Sequence, residues 1–499
     1  MAKKITEKKQ ATISPSQFPP VVTVLGHVDH GKTTLLDAFR KTSVADREHG
    51  GITQKIGASS VELLHDKVKR RITLIDTPGH AAFFRMRGRG VQVADVALLV
   101  VSLVDGVKPQ TKESIELLKE SKIPFIVVLT KSDADTKNPE KVKGELLKEQ
   151  VMLEGLGGDV PFMEVSAKTG RNIQALLELI LLVFDMKHDA ASLSPDALVS
   201  GVIIESKMDM KAGPRVTVII KNGTLKISDE LRAGDISGRV RTIMDDKGVH
   251  LKTATIGDGV EILGFQKAPP VGSFVMNKKS LNNPVQEVKI SESVKEISGE
   301  EKPMFQQRAE DKRELSIILC TDTYGSLEAI TESLPSTVRI VSQKTGEVTV
   351  ADVLMGKSTG AIVLGFNIKL KPEIVRLAIT EKVPVKNYTI IYELIDEIKD
   401  VLEGKKLALE EPIYGTAKII ASFPFDKTKV LGVQVLDGRI AKGDRVRVMR
   451  GEVAVGESTL TSLRQGKDAT SKVEKGNEAG IVLTPFLDFT IGDMVICHG

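Results

Sequence analysis

The sequence predicts a multidomain α/β and β fold: an open α/β domain, a β domain, an αβα unit and a second β domain. Three observations predict it. A glycine-rich loop, Gly26-His27-Val28-Asp29-His30-Gly31-Lys32-Thr33, joins the apolar run Val21 to Leu25 to a helix-forming stretch, Thr34 to Phe39. Apolar runs of strand length alternate with helical spacing up to Phe184, and again from Leu315 to Leu402. Short β-branched runs punctuated by turn residues fill the stretches after Pro195 and after Pro412.

Strand, glycine loop and helix form the setting that a G-x-x-x-x-G-K-[ST] phosphate loop requires. Its glycines let the backbone turn tightly and aim N–H groups at a phosphate. Lys32 supplies charge for the β- and γ-phosphates and Thr33 a hydroxyl for Mg²⁺. The helix N-terminus adds its positive dipole end. This stretch predicts a nucleotide site.

The remaining composition sets bounds. A chain of 499 residues holds about three or four domains. Its net charge of +4, from 70 basic and 66 acidic residues, is too small to establish a nucleic-acid partner by itself. Cys320 and Cys497 match no metal-ligand spacing and read as a buried small residue and a thiol in a reducing cytosol. No apolar run reaches membrane-spanning length, so no membrane partner is expected. Residues 1–18 are basic and polar without an apolar core, which excludes a secretory signal and reads as a disordered leader.

The first domain is expected over residues 19–187. Its runs Arg71 to Asp76, Val96 to Val104 and Pro124 to Leu129, with helical spacing over Glu113 to Glu120 and Asn172 to Phe184, predict a mostly parallel sheet. Ligands then bind at the carboxyl ends of the strands. One such end carries Asp76-Thr77-Pro78-Gly79-His80. Asp76 can hold Mg²⁺ through a water, Gly79 admits a close backbone N–H, and His80 can orient an attacking water. Thr53, in Gly50-Gly-Ile-Thr-Gln54, can complete the metal shell when a γ-phosphate is present. Thr130-Lys131-Ser132-Asp133 ends another strand, and its carboxylate can accept hydrogen bonds from the N1–H and 2-amino group of guanine. Ser166-Ala167-Lys168 brings a backbone N–H and a lysine stem towards the base.

In this order and at these spacings the set resembles the guanine-nucleotide domain of translational GTPases. The wording Gly26 to Thr34 with Gly50 to Gln54, continued through Phe83 to Gly90 and Gln110-Thr111, resembles bacterial-type translation initiation factor two, over about residues 19–499. The resemblance implies that Gly26 to Thr34 bind the phosphates of GTP or GDP and that Thr33, Thr53 and (through water) Asp76 hold Mg²⁺. It implies a monovalent cation near Asp29, and a catalytic role for His80 once the factor meets the ribosome. Gly79, Thr130, Lys131, Asp133, Ser166, Ala167 and Lys168 would complete the nucleotide site. Two residues depart from the family. Thr130 replaces asparagine and lacks the amide that braces the loop, which predicts lower nucleotide affinity. Lys55 replaces histidine, which leaves the ordered form of that segment open.

Residues 197–285 form the second domain, where Asn222-Gly223 predicts a hairpin. The runs fit a barrel or a sandwich, and the resemblance favours a barrel. A linking helix is expected over 286–314, then an αβα domain over 315–403 with a spacer role. The resemblance adds a long exit helix from Thr389, roughly 30 Å over about twenty residues, although the stripe Ile391, Leu394, Ile395, Ile398 reads as packed on its own domain. Residues 412–499 are expected to be a second barrel, since Asn222 to Arg232 and Asp437 to Arg447 echo one another. By resemblance this barrel holds initiator tRNA and its formylmethionine through stretches containing Val433, Arg464, Lys467, Glu478, Ala479 and Gly480. Val433 and Ala479 stand where the family has cysteine. The function implied is that of a cytosolic initiation factor, monomeric off the ribosome and without the family's long N-terminal extension. It would hydrolyse GTP on the ribosome, bring formylmethionyl initiator tRNA to the small subunit and promote subunit joining. The alternative is a GTP-gated ribosome-binding or assembly factor without formyl recognition.

Overall fold

The computed structural model describes residues 18–42, 53–65, 68–187, 194–209, 211–277, 315–403, 413–425, 428–450, 453–466, 468–485, 487 and 489–498. The leader up to residue 17, the linking helix expected over 286–314 and Lys467 lie outside them. The chain divides into two compact units at Lys406/Leu407.

The first unit opens with β1 (Val21–Gly26), α1 (Lys32–Arg40), β2 (Gly57–His65), β3 (Val68–Asp76), α2 (Phe84–Val93), β4 (Val96–Ser102), α3 (Pro109–Ser121), β5 (Phe125–Thr130), α4 (Pro139–Lys148), β6 (Phe162–Glu164) and α5 (Ile173–Lys187). The sheet order is β2-β3-β1-β4-β5-β6, parallel except for the β2–β3 pair. Every residue of β1 and β4 is buried, because helices cover both faces. Val96, Leu98 and Val100 pack with α1 and α5, whereas Ala97, Leu99 and Val101 pack with α2, α3 and α4. The loops that follow β1, β3, β4 and β5 therefore meet at one edge.

Next come β7 (Ser200–Asp209), β8 (Gly213–Asn222), β9 (Leu225–Lys226), β10 (Glu230–Ala233), β11 (Ile236–Met244), β12 (His250–Leu251), β13 (Thr253–Ala254), β14 (Gly259–Phe265) and β15 (Phe274–Asn277). Antiparallel pairing runs β10-β15-β7-β8-β14-β11 and returns to β10, so the sheet closes into a barrel and not a sandwich. The expected Asn-Gly hairpin is absent: β9 pairs with β13, and β8 pairs with β7 across Asp209–Gly213. Asn222 and Gly223 instead turn the chain against the incoming segment, where the Gly223 amide donates to the Ser194 carbonyl and Asn222 Oδ1 accepts from Ser194 N.

The third domain comprises β16 (Leu315–Thr321), α6 (Tyr324–Ser333), β17 (Val338–Thr345), α7 (Val350–Thr359), β18 (Ile362–Phe366), α8 (Pro372–Glu381), β19 (Val385–Tyr388) and α9 (Ile391–Leu402). Its four strands are parallel in the order β17-β16-β18-β19. Strand alternation sends Ile317 and Leu319 towards α6 and α9, and Ile318 and Cys320 towards α7 and α8. The first of these clusters also takes in Ile75, Phe83 and Met86 of the first domain and Val202 and Ile204 of the barrel. The exit helix is described over twelve residues, about 18 Å, with Ile391, Leu394, Ile395 and Ile398 buried on its own domain. Residues 404–412, where it would lengthen, lie outside the described set.

The second unit contains β20 (Ile413–Phe425), β21 (Thr428–Ala441), β22 (Arg445–Arg450), β23 (Val453–Gln465), β24 (Asp468–Ala469), β25 (Lys472–Glu474), β26 (Glu478–Thr484) and β27 (Met494–His498). It closes as β20-β27-β22-β23-β26-β21 and back to β20, the connectivity of the first barrel strand for strand. The sequence echo has a physical basis. Asp229 Oδ2 accepts from the Lys226 amide and Asp444 Oδ2 from the Ala441 amide, both at 2.8 Å, beside the positive-φ residues Ser228 and Gly443. Both cysteines are buried and unpaired, and burial pushes each thiol up to about 12.

One carboxylate lies where the first barrel meets the third domain. Glu205 Oε1 accepts from Ser206 N at 2.8 Å and from Gly325 N at 3.3 Å, in the first turn of α6. Burial pushes its carboxyl up to about 7. The folded chain therefore binds a proton that the unfolded chain releases near the ordinary glutamate value. Stability is then lost as pH rises from about 4.5 to 7. Glu205→Gln should remove that slope, melting above the parent near pH 8 and level with it near pH 5 (about these values) in thermal scans. Parallel melting profiles would show that Glu205 keeps its charge.

Candidate nucleotide site

A cavity of about 450 Å³ opens at the strand ends, lined by Val28, Asp29, Gly31, Lys32, Thr33, Thr34, Thr53, Gly79, His80, Thr130, Lys131, Asp133, Ala167 and Lys168, with Ala134 beside them. These segments are spread over more than a hundred residues of sequence, yet one cleft gathers them. Gly26, His27, His30, Asp76 and Ser166 stand behind its wall. Gly26, at φ 143°, packs so closely on β4 that a Cβ would overlap the Val100 carbonyl. His30 is buried beneath the loop with Nδ1 3.4 Å from the Val100 carbonyl, and burial pushes it down to about 4. His27 meets the His30 ring edge-on at 5.1 Å. Both histidines support the loop from behind.

Lys32 is nearly enclosed, its ammonium donating to the His27 carbonyl at 2.6 Å, and burial pulls it down to about 8. Thr33 Oγ1 and Thr53 Oγ1 lie 2.7 Å apart, so the two hydroxyls expected to hold Mg²⁺ converge on one point. Asp76 is buried nearby, 3.9 Å from Arg40 Nη2. Hydroxyl and carboxylate oxygens are the donors a hard divalent cation takes alongside phosphate oxygens, and this set fits Mg²⁺.

On the base side, the Thr130 hydroxyl donates to the His30 carbonyl at 2.6 Å. A hydroxyl at the end of β5 thus ties that strand to the phosphate loop. Lys131, at φ 58°, is held by Asp105 at 2.9 Å. A hydrogen bond from Ser166 holds the exposed Asp133 carboxyl below its usual range, so it stays an acceptor.

The loop 78–80 depends on a residue to which the sequence assigned no role. Arg87 is fully buried, and its Nη1 donates to the carbonyls of Pro78 at 3.1 Å, Gly79 at 3.2 Å and His80, while Nη2 pairs with Glu113. Within the basic run Arg85 to Arg89 it looks like any surface cation, and only its burial marks it out. His80 Nδ1 accepts from Ala82 N at 3.0 Å, and burial, with Arg87 second, pushes the ring down to about 4. Gln110 also supports the site, accepting from Val28 N at 3.0 Å.

The third domain, expected only as a spacer, reaches the cleft. Gln54 Nε2 donates to the Thr389 carbonyl at 2.8 Å, and Ile391 N donates back to Gln54 Oε1 at 3.1 Å. Lys55 pairs with Asp322 at 2.6 Å, while residues 43–52 of the segment it follows lie outside the described residues.

In the last barrel the residues expected to touch tRNA do not share one surface. Val433 and Ala479 are a cross-strand pair inside the barrel, both buried. This corrects their placement in a pocket: β-strand alternation turns both inward. Gly480 pairs with Gly432 on the opposite face and with Arg464 on the next strand, while Glu478 and Arg464 are exposed.

A Cβ at Gly79 would overlap the Lys32 ammonium. Gly79→Ala should therefore displace that charge and weaken guanine-nucleotide binding by about tenfold or more, roughly the worth of one charge-assisted hydrogen bond. Unchanged affinity in calorimetric titration would mean that Lys32 is free to move.

Comparison with known proteins follows this geometry. The family model for the elongation factor Tu GTP binding domain matches residues 20–186, elongation factor G domain 2 matches 198–278, and translation-initiation factor 2 matches 290–399. The chain is 41% identical over 497 residues to translation initiation factor IF-2 of Aquifex aeolicus, covering 96% of this chain and 61% of that protein. It is 41% identical over 495 residues to IF-2 of Carboxydothermus hydrogenoformans, covering 96% and 59%. Among solved structures, GDP-bound aIF5B from Aeropyrum pernix is 27% identical, covering 96% of this chain and 92% of that one, with a TM-score of 0.45. The chain spans less than two thirds of the length of these two curated relatives. Identity of this depth is sustained over 96% of the chain, from the phosphate loop through the final barrel, so that nearly the whole chain is similar to translation initiation factor IF-2.

Proposed function

We propose that the chain is an initiation-factor GTPase. It binds GTP with Mg²⁺, promotes binding of formylmethionyl initiator tRNA to the small ribosomal subunit and joining of the subunits, and hydrolyses GTP to GDP and phosphate when the ribosome engages it. The observation that carries the reading is the single cleft in which Lys32, Thr33, Thr53, Gly79, His80 and Asp133 converge.

Each group has a task in that chemistry. Lys32 and the amides of the loop from Gly26 to Thr34 hold the β- and γ-phosphates. Thr33 and Thr53, with Asp76 through a water, hold Mg²⁺, which neutralises charge developing on the phosphate oxygens. Asp29, at φ 62° on the cleft wall, is the residue beside which a monovalent cation would sit. Asp133 and the 166–168 segment select guanine. His80 stays neutral at physiological pH and is the group that orients the attacking water.

The initiator role rests on the second unit. The outward face of the Gly432–Gly480 pair carries the exposed side chains of Phe423 and Arg464, an aromatic and a cation on one face of the barrel. Such a surface suits the stacking and phosphate contacts of a single-stranded acceptor end. Burial of Val433 and Ala479 means that exchanging cysteine for these residues alters core packing more than surface chemistry.

His80→Ala should keep GTP affinity and abolish ribosome-stimulated turnover; unchanged turnover would remove His80 from the mechanism. Because residues 407–499 form a compact unit, that fragment can be titrated with formylated and unformylated initiator tRNA. Tighter binding of the formylated form is expected. Equal or absent binding would leave a GTP-gated ribosome-binding or assembly factor.

A further inference from the structure

The His80 imidazole is held by two groups at once. Its Nδ1 accepts from Ala82 N at 3.0 Å, and it packs edge-to-face with the Tyr392 ring, centroids 4.0 Å apart and planes 87° apart. Tyr392 belongs to the first turn of α9, in the third domain. A neutral imidazole has one lone-pair nitrogen, and here Ala82 N–H occupies it. The remaining nitrogen, Nε2, carries the proton. In this pose the ring can donate a hydrogen bond but cannot take a proton from water, so it is idle as a base.

The start of α9 is itself tied to the nucleotide cleft. Gln54, next to Thr53, bonds both the Thr389 carbonyl and the Ile391 amide, the groups that flank the helix N-terminus. Thr53 in turn meets Thr33 of the phosphate loop. Tyr392 is therefore fixed relative to both the metal-side hydroxyls and His80.

We propose that Tyr392 is a positioning residue through which the third domain latches His80 in its idle pose and so keeps ribosome-free hydrolysis slow. This rests on the reading of His80 as the catalytic histidine. A displacement of α9 breaks the ring contact and lets the imidazole turn its lone pair towards water. The latch acts through the aromatic ring, so the phenol oxygen is dispensable and a phenylalanine suffices. The side chain is 38% exposed, so its removal leaves the core intact.

The test uses the full-length chain and GTP turnover measured with and without ribosomes. Tyr392→Ala should raise ribosome-free turnover by about two- to tenfold, the range an edge-to-face pair supports. GTP affinity and ribosome-stimulated turnover should stay at the parent level. Tyr392→Phe should match the parent, and adding His80→Ala to Tyr392→Ala should erase the gain. Ribosome-free turnover that is unchanged or lowered in Tyr392→Ala would overturn the latch, as would a gain that survives His80→Ala. If His80→Ala alone leaves stimulated turnover intact, the catalytic reading has failed and the latch falls with it. If His80→Ala abolishes it and Tyr392→Ala does nothing, only the latch has failed.

Discussion

A guanidinium without exposed surface holds the catalytic edge together. Burying a cation costs several kcal/mol, roughly, unless every donor finds a partner. Arg87 offsets much of that cost by binding three successive carbonyls, Pro78 to His80, through Nη1 and by pairing with Glu113 on α3 through Nη2, while its Nε is left without a partner. Those carbonyls belong to the loop that lays Gly79 on Lys32 and turns His80 towards the third domain. The same charge also disfavours protonation of His80. One buried residue thus braces the loop that carries the histidine and adds to the burial that keeps its ring neutral.

The helix that carries Arg87 also joins the domains. Arg85 and Arg89, on its other face, pair with Glu328 of α6. Met86, between them, enters the apolar cluster shared with the barrel and the third domain. Packed side chains thus run continuously from this helix into the barrel and the third domain. Gln54 and Lys55 supply a second route, since both are bonded to the third domain while the neighbouring Thr53 faces the phosphate loop. The third domain thus contacts both His80 and the segment beside Thr53.

Two barrels with one connectivity serve different ends. In the first, the carboxylate Glu205 is turned towards α6 and helps seat the third domain. In the second, the paired glycines Gly432 and Gly480 let Ala421, Phe423 and Val430 pack closely over the strands. The repeated aspartate turns at Asp229 and Asp444 keep the strand order the same while the outward residues differ. Strand order follows turn geometry, and function follows the face left open.

The sequence by itself determined the phosphate loop, the alternation of the first domain and the closing repeat of the last. Each depends on residues within one short segment, where backbone geometry and side-chain chemistry act on near neighbours. Strands such as Val96–Ser102 were legible because burial on both faces demands an unbroken apolar run. Tertiary structure decided the rest. Arg87 could not be told from Arg85 or Arg89 because burial depends on what the helix packs against. Asn222-Gly223 had the letters of a hairpin, but its strand found a partner elsewhere. Val433 and Ala479 face inward because strand parity is set by register, and register shifts at Thr416/Ala417 and Ile419/Ala421 on the neighbouring strand cannot be read from composition. The Tyr392–His80 contact joins residues more than three hundred positions apart. Contacts of that span are made by packing surfaces, and no local pattern in the chain encodes them.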